Sequence, residues 1–335
     1  MNTMKRKIIA LLVISVYLIL ILITTSACST LNTSKYTIDG DYVYFGSYPQ
    51  SSVDKNISAL RNIQNSKGYY WCTDKKFHAL VSYYTINSRY LVGYNNVIIN
   101  NFNANAWEVH NGLFNIEPIK WRILQRFEDR LVLVSDKILD SKAFSTKEAY
   151  KNDNGEIIYP HSYYYSEIRE WLINDFLNTA FTEAEQELIM PKTIIDDFVP
   201  SGFEIMEDKI FLLDSTELQL YCQGSKVKES TAYSRANGVC RPYGDGNCTG
   251  AYFLRDGSYL YGSDVDGKYY VNTVYTNGSV FPGDVTFNAY GVVPALVLNI
   301  EDGNSTAKIN VNDIFTHLAI FMEQDYTVPD NKKAV

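Results

Sequence analysis

Gly291-Val292-Val293-Pro294-Ala295-Leu296-Val297-Leu298 is the stretch from which the fold is read. It is short and almost unbroken in its apolar character, and it reads as the last strand. Pro294 has no N–H and cannot donate to a ladder. A last strand over residues 292–298 is therefore expected, with an edge or a bulge at Pro294.

Upstream, Asn277-Gly278 is the strongest two-residue hairpin signal. Alternation over residues 269–275 leads into it, and Ser279-Val280-Phe281 starts the return. Further back, Ile119-Lys120-Trp121-Arg122-Ile123-Leu124 alternates and Leu131-Val132-Leu133-Val134 follows, which predicts a second hairpin. The helices fall between residues 166 and 222. Ser166 is an N-cap for a helix whose apolar row is Ile168, Leu172 and Phe176, with Trp171 beside it. Thr182 and Glu185 form a capping box for a second helix through Met190. Phe211-Leu212-Leu213 reads as a short buried strand, after which Asp214 and Glu217 cap a third helix carrying Leu218 and Leu220. The rest, up to residue 300, reads as β. Residues 50–118 read as strands with long connections, and Asn103-Ala104-Asn105-Ala106 as a loop. Trp121 and Trp171 sit on apolar faces and are expected in the core.

The N-terminus is of another kind. Lys5-Arg6-Lys7 precedes an apolar run from Ile8 to Ile23, and Thr25-Ser26-Ala27-Cys28 closes it. A basic start, an apolar stretch and small residues make an export signal. The run is shorter than the roughly 20 residues of a membrane span. Ala27-Cys28 resembles a bacterial lipobox, although Thr25 stands where Leu or Val is usual. The division expected is a lipoprotein signal over 1–27, a tether over 28–35, a folded domain over 36–300 and a tail over 301–335. Cys28 is the expected lipid-attachment residue; an uncleaved anchor or free secretion are the alternatives. In the tail, Val311, Ile314, Phe315, Leu318 and Met322 lie at helical spacing.

Composition narrows the function. An apolar share of 46% supports a large core. The net charge is −8 and no basic stripe occurs, which argues against nucleic acid as a partner. Four cysteines remain beside Cys28: Cys72, Cys222, Cys240 and Cys248. In an exported chain they allow two disulfides in three connectivities. Cys240 and Cys248 bracket a Gly-rich loop and are the first choice for a pair, with free thiols as the alternative.

A resemblance joins these pieces. Gly40-Asp41-x-Val43-x-Phe45-Gly46-x-Tyr48-x-Gln50 looks like the opening strand of the family catalogued as domain of unknown function 6273. Pro118 to Leu124, Ser135-Asp136-x-Ile138-Leu139-Asp140 and Ile168-Arg169-x-Trp171-Leu172-x-x-Asp175-Phe176 follow in the family's order. So do Phe181-Thr182-x-x-Glu185, Lys209 to Leu213, Thr231 to Ser234, Phe253-Leu254-Arg255 and Gly291 to Leu296. The similarity spans residues 40–300. It implies an α+β, C-type-lectin-like domain with mixed or antiparallel sheets and two or three helices. First and last strands would pair at one end, and long irregular ligand loops over 240–290 would occupy the other. Two strings depart from the family's usual form. Tyr252-Phe253-Leu254-Arg255-Asp256 stands for Trp-Trp-Leu-Arg-Ser, and Val293 stands where arginine is common.

The candidate ligand residues are Arg255, Asp256, Tyr259, Tyr261, Tyr269 and Tyr270, in or beside those loops. Arg255 brings a fork of donors, either to a ligand or to pin the loops from within. The tyrosines, with Tyr275, offer aromatic faces to a sugar or a partner protein, though alternation sends about half inward. No cofactor is expected. The only case for Ca²⁺ rests on Asp264 and Asp266, with Asp256 nearby, and a solvated acidic turn explains them as well. His78, His110, His161 and His317 are scattered, and neither H-E-x-x-H nor G-x-S-x-G occurs. No catalytic residue is assigned. The expected function is non-catalytic binding of a glycan or surface protein at the extracytoplasmic face of a cell membrane. A cell-envelope enzyme and a structural spacer are the alternatives.

Overall fold

The strand Trp107–Arg126 organises the main sheet. In this computed structural model residues 35–86, 90–93, 107–200, 202–222, 226–239, 249–258 and 268–300 are described. The chain divides into Met1–Thr37 and a body, Ile38–Val335, with which the rest is concerned. Three partners share the long strand, all antiparallel. Phe77–Ile86 pairs along its first half, from Ile86↔Trp107 to His78↔Asn115. Tyr42–Ser52 pairs along its middle, from Ser52↔Phe114 to Tyr42↔Arg122. Arg130–Ser135 pairs with its end, closing the hairpin anticipated from the alternation at Ile119–Leu124.

Arg130–Ser135 then pairs with Ala295–Asn299, whose own far side takes Ile189–Met190 and Ile210–Phe211. These are the continuously apolar runs. Leu131, Leu133, Val134, Ala295, Leu296 and Leu298 are all 1% exposed or less, as a strand covered on both faces requires. A second sheet runs in the order Val280–Asp284, Tyr270–Val274, Tyr252–Gly257, Gly291–Val292, Asp140–Ser141. The α+β class thus holds in its coarse form, a mostly-sheet body with a few short helices.

Pro294 is neither at an edge nor in a bulge. It stands between Gly291–Val292 in the second sheet and Ala295–Asn299 in the first, where the chain changes sheets. The missing N–H falls where no ladder asks for one, and its carbonyl accepts from Ser135 N at 2.9 Å. The expected pairing of first and last strands is also corrected. The hairpin made by Trp107–Arg126 and Arg130–Ser135 lies between Tyr42–Ser52 and Ala295–Asn299. Its apolar second arm needs partners on both sides, and the last strand is one of them.

The helix after Ser166 explains its own spacing. Ser166 accepts from Arg169 N, and Ile168, Leu172, Phe176 and Ala180 are each 1% exposed or less. A strict four-residue row would drift by about 40° per step around a helix of 3.6 residues per turn. The chain compensates with a π segment, Leu172–Phe176, between Glu167–Trp171 and Leu177–Ala180. The wider turn holds the row on one face. Trp171 is only half-buried, with Lys142 Nζ 5.0 Å from its ring.

The capping box at Thr182 is present, but its helix is only Glu183–Gln186, not a helix through Met190. None of those four side chains is buried, so no apolar face secures further turns, and Ile189 pairs with Leu298 instead. Asp214 and Glu217 cap Ser215–Tyr221 as read, with Leu218 buried and Leu220 47% exposed. The segment after it is not wholly β: Thr231 caps a helix, Ala232–Ala236. The hairpin read from Asn277-Gly278 is present over residues 270–284, within the range where the resemblance implied irregular loops. Its turn is longer than two residues. Gly278 N bonds Tyr275 O, Tyr275 N bonds Ser279 O, and only Gly278 has positive φ, whereas a type I′ turn would demand it of Asn277 as well. The Asn103–Ala106 loop and the tail helix lie outside the described residues.

The motif residues meet in the core. Trp121 is fully buried, donates Nε1–H to Phe45 O at 2.8 Å and stacks on Phe181 at 6.2 Å. Tyr48 packs on Phe176 at 5.0 Å and gives its hydroxyl to Asp140 at 2.6 Å. Asn237 donates to the same carboxylate at 2.9 Å. Gly46 lies at φ 65°, and a Cβ there would come within 2.4 Å of the Phe181 ring. We expect Gly46→Ala to cost about 1–3 kcal/mol of backbone strain alone, with the clash added to it. Urea unfolding should show a midpoint well below wild type; an unchanged midpoint would refute this role for the glycine.

Candidate functional site

Arg255 is placed by the strand Tyr252–Gly257 and is 7% exposed. Its guanidinium meets the capping box of Ser215–Tyr221. Nη1 donates to Leu212 O at 2.7 Å and to Glu217 Oε2, and Nη2 donates to Asp214 Oδ2. Lys192 Nζ lies 2.9 Å from Glu217 Oε1, an ion pair not aligned as a hydrogen bond. Burial works to raise the Glu217 carboxyl, but the charges of Arg255 and Lys192 overcome it and hold the group well below the usual range. Asp214 goes the other way: burial, with Glu217 and Asp256 nearby, outweighs Arg255 and raises it to about 6. Asp256 accepts from Ser215 N at 2.9 Å, Ser215 Oγ at 2.5 Å and Asn272 Nδ2 at 2.7 Å. Two of the candidate ligand residues, Arg255 and Asp256, are thus bound into the joint between helix and sheet.

Of the other candidates, Tyr269 and Tyr270 are described and half-buried. Cys28, Tyr259, Tyr261, Asp264, Asp266, Cys240 and Cys248 lie outside the described residues. Cys72 and Cys222 are free thiols. Among the described residues no three His, Cys, Asp or Glu side chains group as a metal site, and no helix is long and apolar enough to cross a membrane.

Tyr269 belongs to a cluster that the sequence did not reveal. His161 stacks on Tyr269 at 5.6 Å and 21°, and on Tyr159 at 5.6 Å and 25°. Tyr159 and Tyr269 are 5.7 Å apart, so the three rings close a triangle. Phe198 meets His161 edge-on at 5.1 Å. Pro160 supplies the fixed φ of a turn in which Ser162 N bonds Tyr159 O at 3.1 Å. The buried Asp196 fastens that turn to the hairpin Lys192–Asp196/Glu204–Asp208. It accepts from Ser162 Oγ at 2.7 Å, Tyr164 N at 2.8 Å and Phe198 N at 2.9 Å. Phe198 in turn covers Gly257, where a Cβ would lie 2.5 Å from the ring.

Two polar atoms in this region are buried without a partner, His161 Nδ1 and Ser258 Oγ. Buried polar groups are normally bonded, so such a pair calls for an explanation. Burial lowers the His161 pKa to about 4, leaving the ring neutral at physiological pH. The imidazole is buried and backs the two phenols, so the accessible part of the cluster is the half-buried faces of Tyr159 and Tyr269. Among these residues only Tyr269 was a candidate from sequence. Tyr159, His161, Phe198 and Ser258 were missed, and Pro160 was the one local signal of a built turn.

A family model described as Domain of unknown function (DUF6273) matches residues 128–300. The matched range holds the Arg255 network and the rings of the cluster. The strings at Gly40–Gln50 and Pro118–Leu124 lie upstream of it. No curated protein and no solved structure matches the chain.

Two variants separate stability from recognition here. Arg255→Met takes the cation from Asp214 and leaves Glu217 with Lys192 alone, and is expected to cost about 3–5 kcal/mol in denaturant unfolding; a loss within experimental error would remove the network from the fold's supports. For His161, the unfolded imidazole protonates near pH 6.5 and the folded one only near 4. Acidification between those values favours the unfolded chain, so stability should fall as pH drops from 6.5 towards 4, by up to about 3 kcal/mol. His161→Phe should flatten that part of the profile, and an unaltered slope would contradict the assignment.

Proposed function

The chain belongs to the family described as Domain of unknown function (DUF6273), and on that premise we propose that it is a membrane-anchored surface lipoprotein whose C-type-lectin-like body binds a glycan or protein ligand without catalysis. The observation that carries this reading is the ring triangle of Tyr159, His161 and Tyr269, with two unpartnered buried polar atoms beside it. Aromatic faces with few polar groups suit recognition by stacking and a small number of hydrogen bonds. The same region favours binding over chemistry. Asp214, Glu217 and Asp256 are paired with Arg255, Lys192, Ser215 and Asn272, so these three carboxylates are already engaged in holding the helix. Anchoring rests on the Ala27-Cys28 string, where acylation of Cys28 would hold the protein at the outer face of the membrane.

Full-length protein solubilised from membranes is to be titrated against bacterial and host glycans and envelope extracts, with and without EDTA. Specific binding that survives EDTA and weakens about tenfold or more in Tyr159→Ala and Tyr269→Ala is expected. Loss with EDTA would move the site to Asp264 and Asp266. Absence of any binding, or turnover of a bound ligand, would overturn the reading. Palmitate-analogue labelling that persists in Cys28→Ala would overturn the lipid anchor.

A further inference from the structure

We infer a second recognition surface on the edge of the smaller sheet, formed by Tyr275, Phe281, Phe287 and Tyr290, that takes the flat face of a neutral sugar ring. This rests on the reading that the body is a binding module, and it names the class of ligand.

The surface is aromatic and open. Phe281 is 52% exposed and Phe287 41% exposed, while Tyr275 and Tyr290 are half-buried between them. Tyr275 meets Phe281 at 6.0 Å, Tyr290 meets Tyr275 at 6.1 Å, and Phe287 meets Tyr290 at 4.9 Å. The two tyrosine hydroxyls are 3.0 Å apart, and either can be the donor. Whichever donates, the pair places polar atoms beside the exposed rings. The rings meet edge to face, at 64–78°, so a pyranose lays its C–H groups over one exposed face, that of Phe281 or Phe287, with its hydroxyls towards the tyrosine pair.

The shelf is also pre-formed, which lowers the ordering cost of binding. Tyr290 backs onto the buried Phe253 at 5.0 Å. It lies across Gly283, where a Cβ would come within 2.9 Å of its ring and 2.2 Å of Thr273 Oγ1. Phe287 sits in a turn closed by its N–H to Asp284 O at 3.1 Å. Asp284, in the same hairpin, is occupied by Thr286 N at 2.9 Å, Thr286 Oγ1 at 2.7 Å and Lys268 Nζ at 3.5 Å. The acid of this hairpin is thus already compensated and is not held open for an ionic ligand. The edge strand Val280–Asp284 carries Pro282, paired opposite Asn272, and proline blunts an edge against an added peptide strand. Those two features favour a neutral sugar over a peptide.

The test uses the full chain in detergent, with immobilised neutral hexose and N-acetylhexosamine oligosaccharides as probes. Phe281→Ala and Phe287→Ala remove exposed rings, so thermal melting should not change, while binding should weaken about tenfold in each. Gly283→Ala should weaken it as well by displacing Tyr290, and Tyr275→Phe should weaken it less. Full binding by both phenylalanine variants overturns this surface and leaves the binding-module reading standing. Binding confined to charged glycans or to a protein does the same. Failure of the wild type to bind any ligand overturns both.

Discussion

The contact on which most of the body depends is the Arg255 guanidinium between Asp214 and Glu217. It joins three pieces that share no backbone ladder with one another: the helix Ser215–Tyr221, the hairpin arm bearing Lys192, and the second-sheet strand Tyr252–Gly257. Burying these charges is costly, and only mutual pairing and the bond to Leu212 O make it tolerable. The same carboxylates cap the helix through Glu217 N and Asp214 N. Helix start and sheet contact are therefore one feature, and neither survives alone with its charges satisfied.

A second constraint sits at Pro294. The run from Gly291 to Leu298 serves both sheets, its first residues beside Tyr252 and Asp140 and its last beside Arg130–Ser135. A residue without an N–H is suited to the gap between two ladders. The Tyr48–Asp140 bond spans the same division from the other side, since Tyr48 lies in the main sheet and Asp140 in the second. These ties bring together strings near residues 48, 140, 255 and 294 that lie far apart in the chain.

The proposed recognition face follows from that frame. Tyr269, Val271, Thr273 and Tyr275 alternate onto one face of the second sheet, and the two aromatic groups lie at its opposite ends. One is fastened by Asp196 to the Pro160 turn. The other is seated on Gly283 and Phe253. In both, stacking surface is supplied by rigid elements, so little order has to be gained when a ligand binds.

Local signals were legible because their partners are close in sequence. Ser166, Thr182 and Asp214 each reach a backbone N–H three residues on, and all three caps are present. The apolar runs at Leu131–Val134 and Ala295–Leu298 marked strands, and the motif order marked the family. Of the candidate ligand residues, Tyr269 lies in the aromatic cluster and Asp256 is bound to Ser215. What the chain did not disclose is every contact set by long-range pairing. Asp196 meets Ser162 across 34 positions and Arg255 meets Glu217 across 38. No spacing rule couples residues so far apart. Local caps and periodicity determined where the three anticipated helices begin and which apolar runs are strands. Only tertiary packing decided that the Thr182 helix stops early, that Pro294 bridges two sheets and that His161 lies between two tyrosines, because each depends on a surface brought there by another part of the chain.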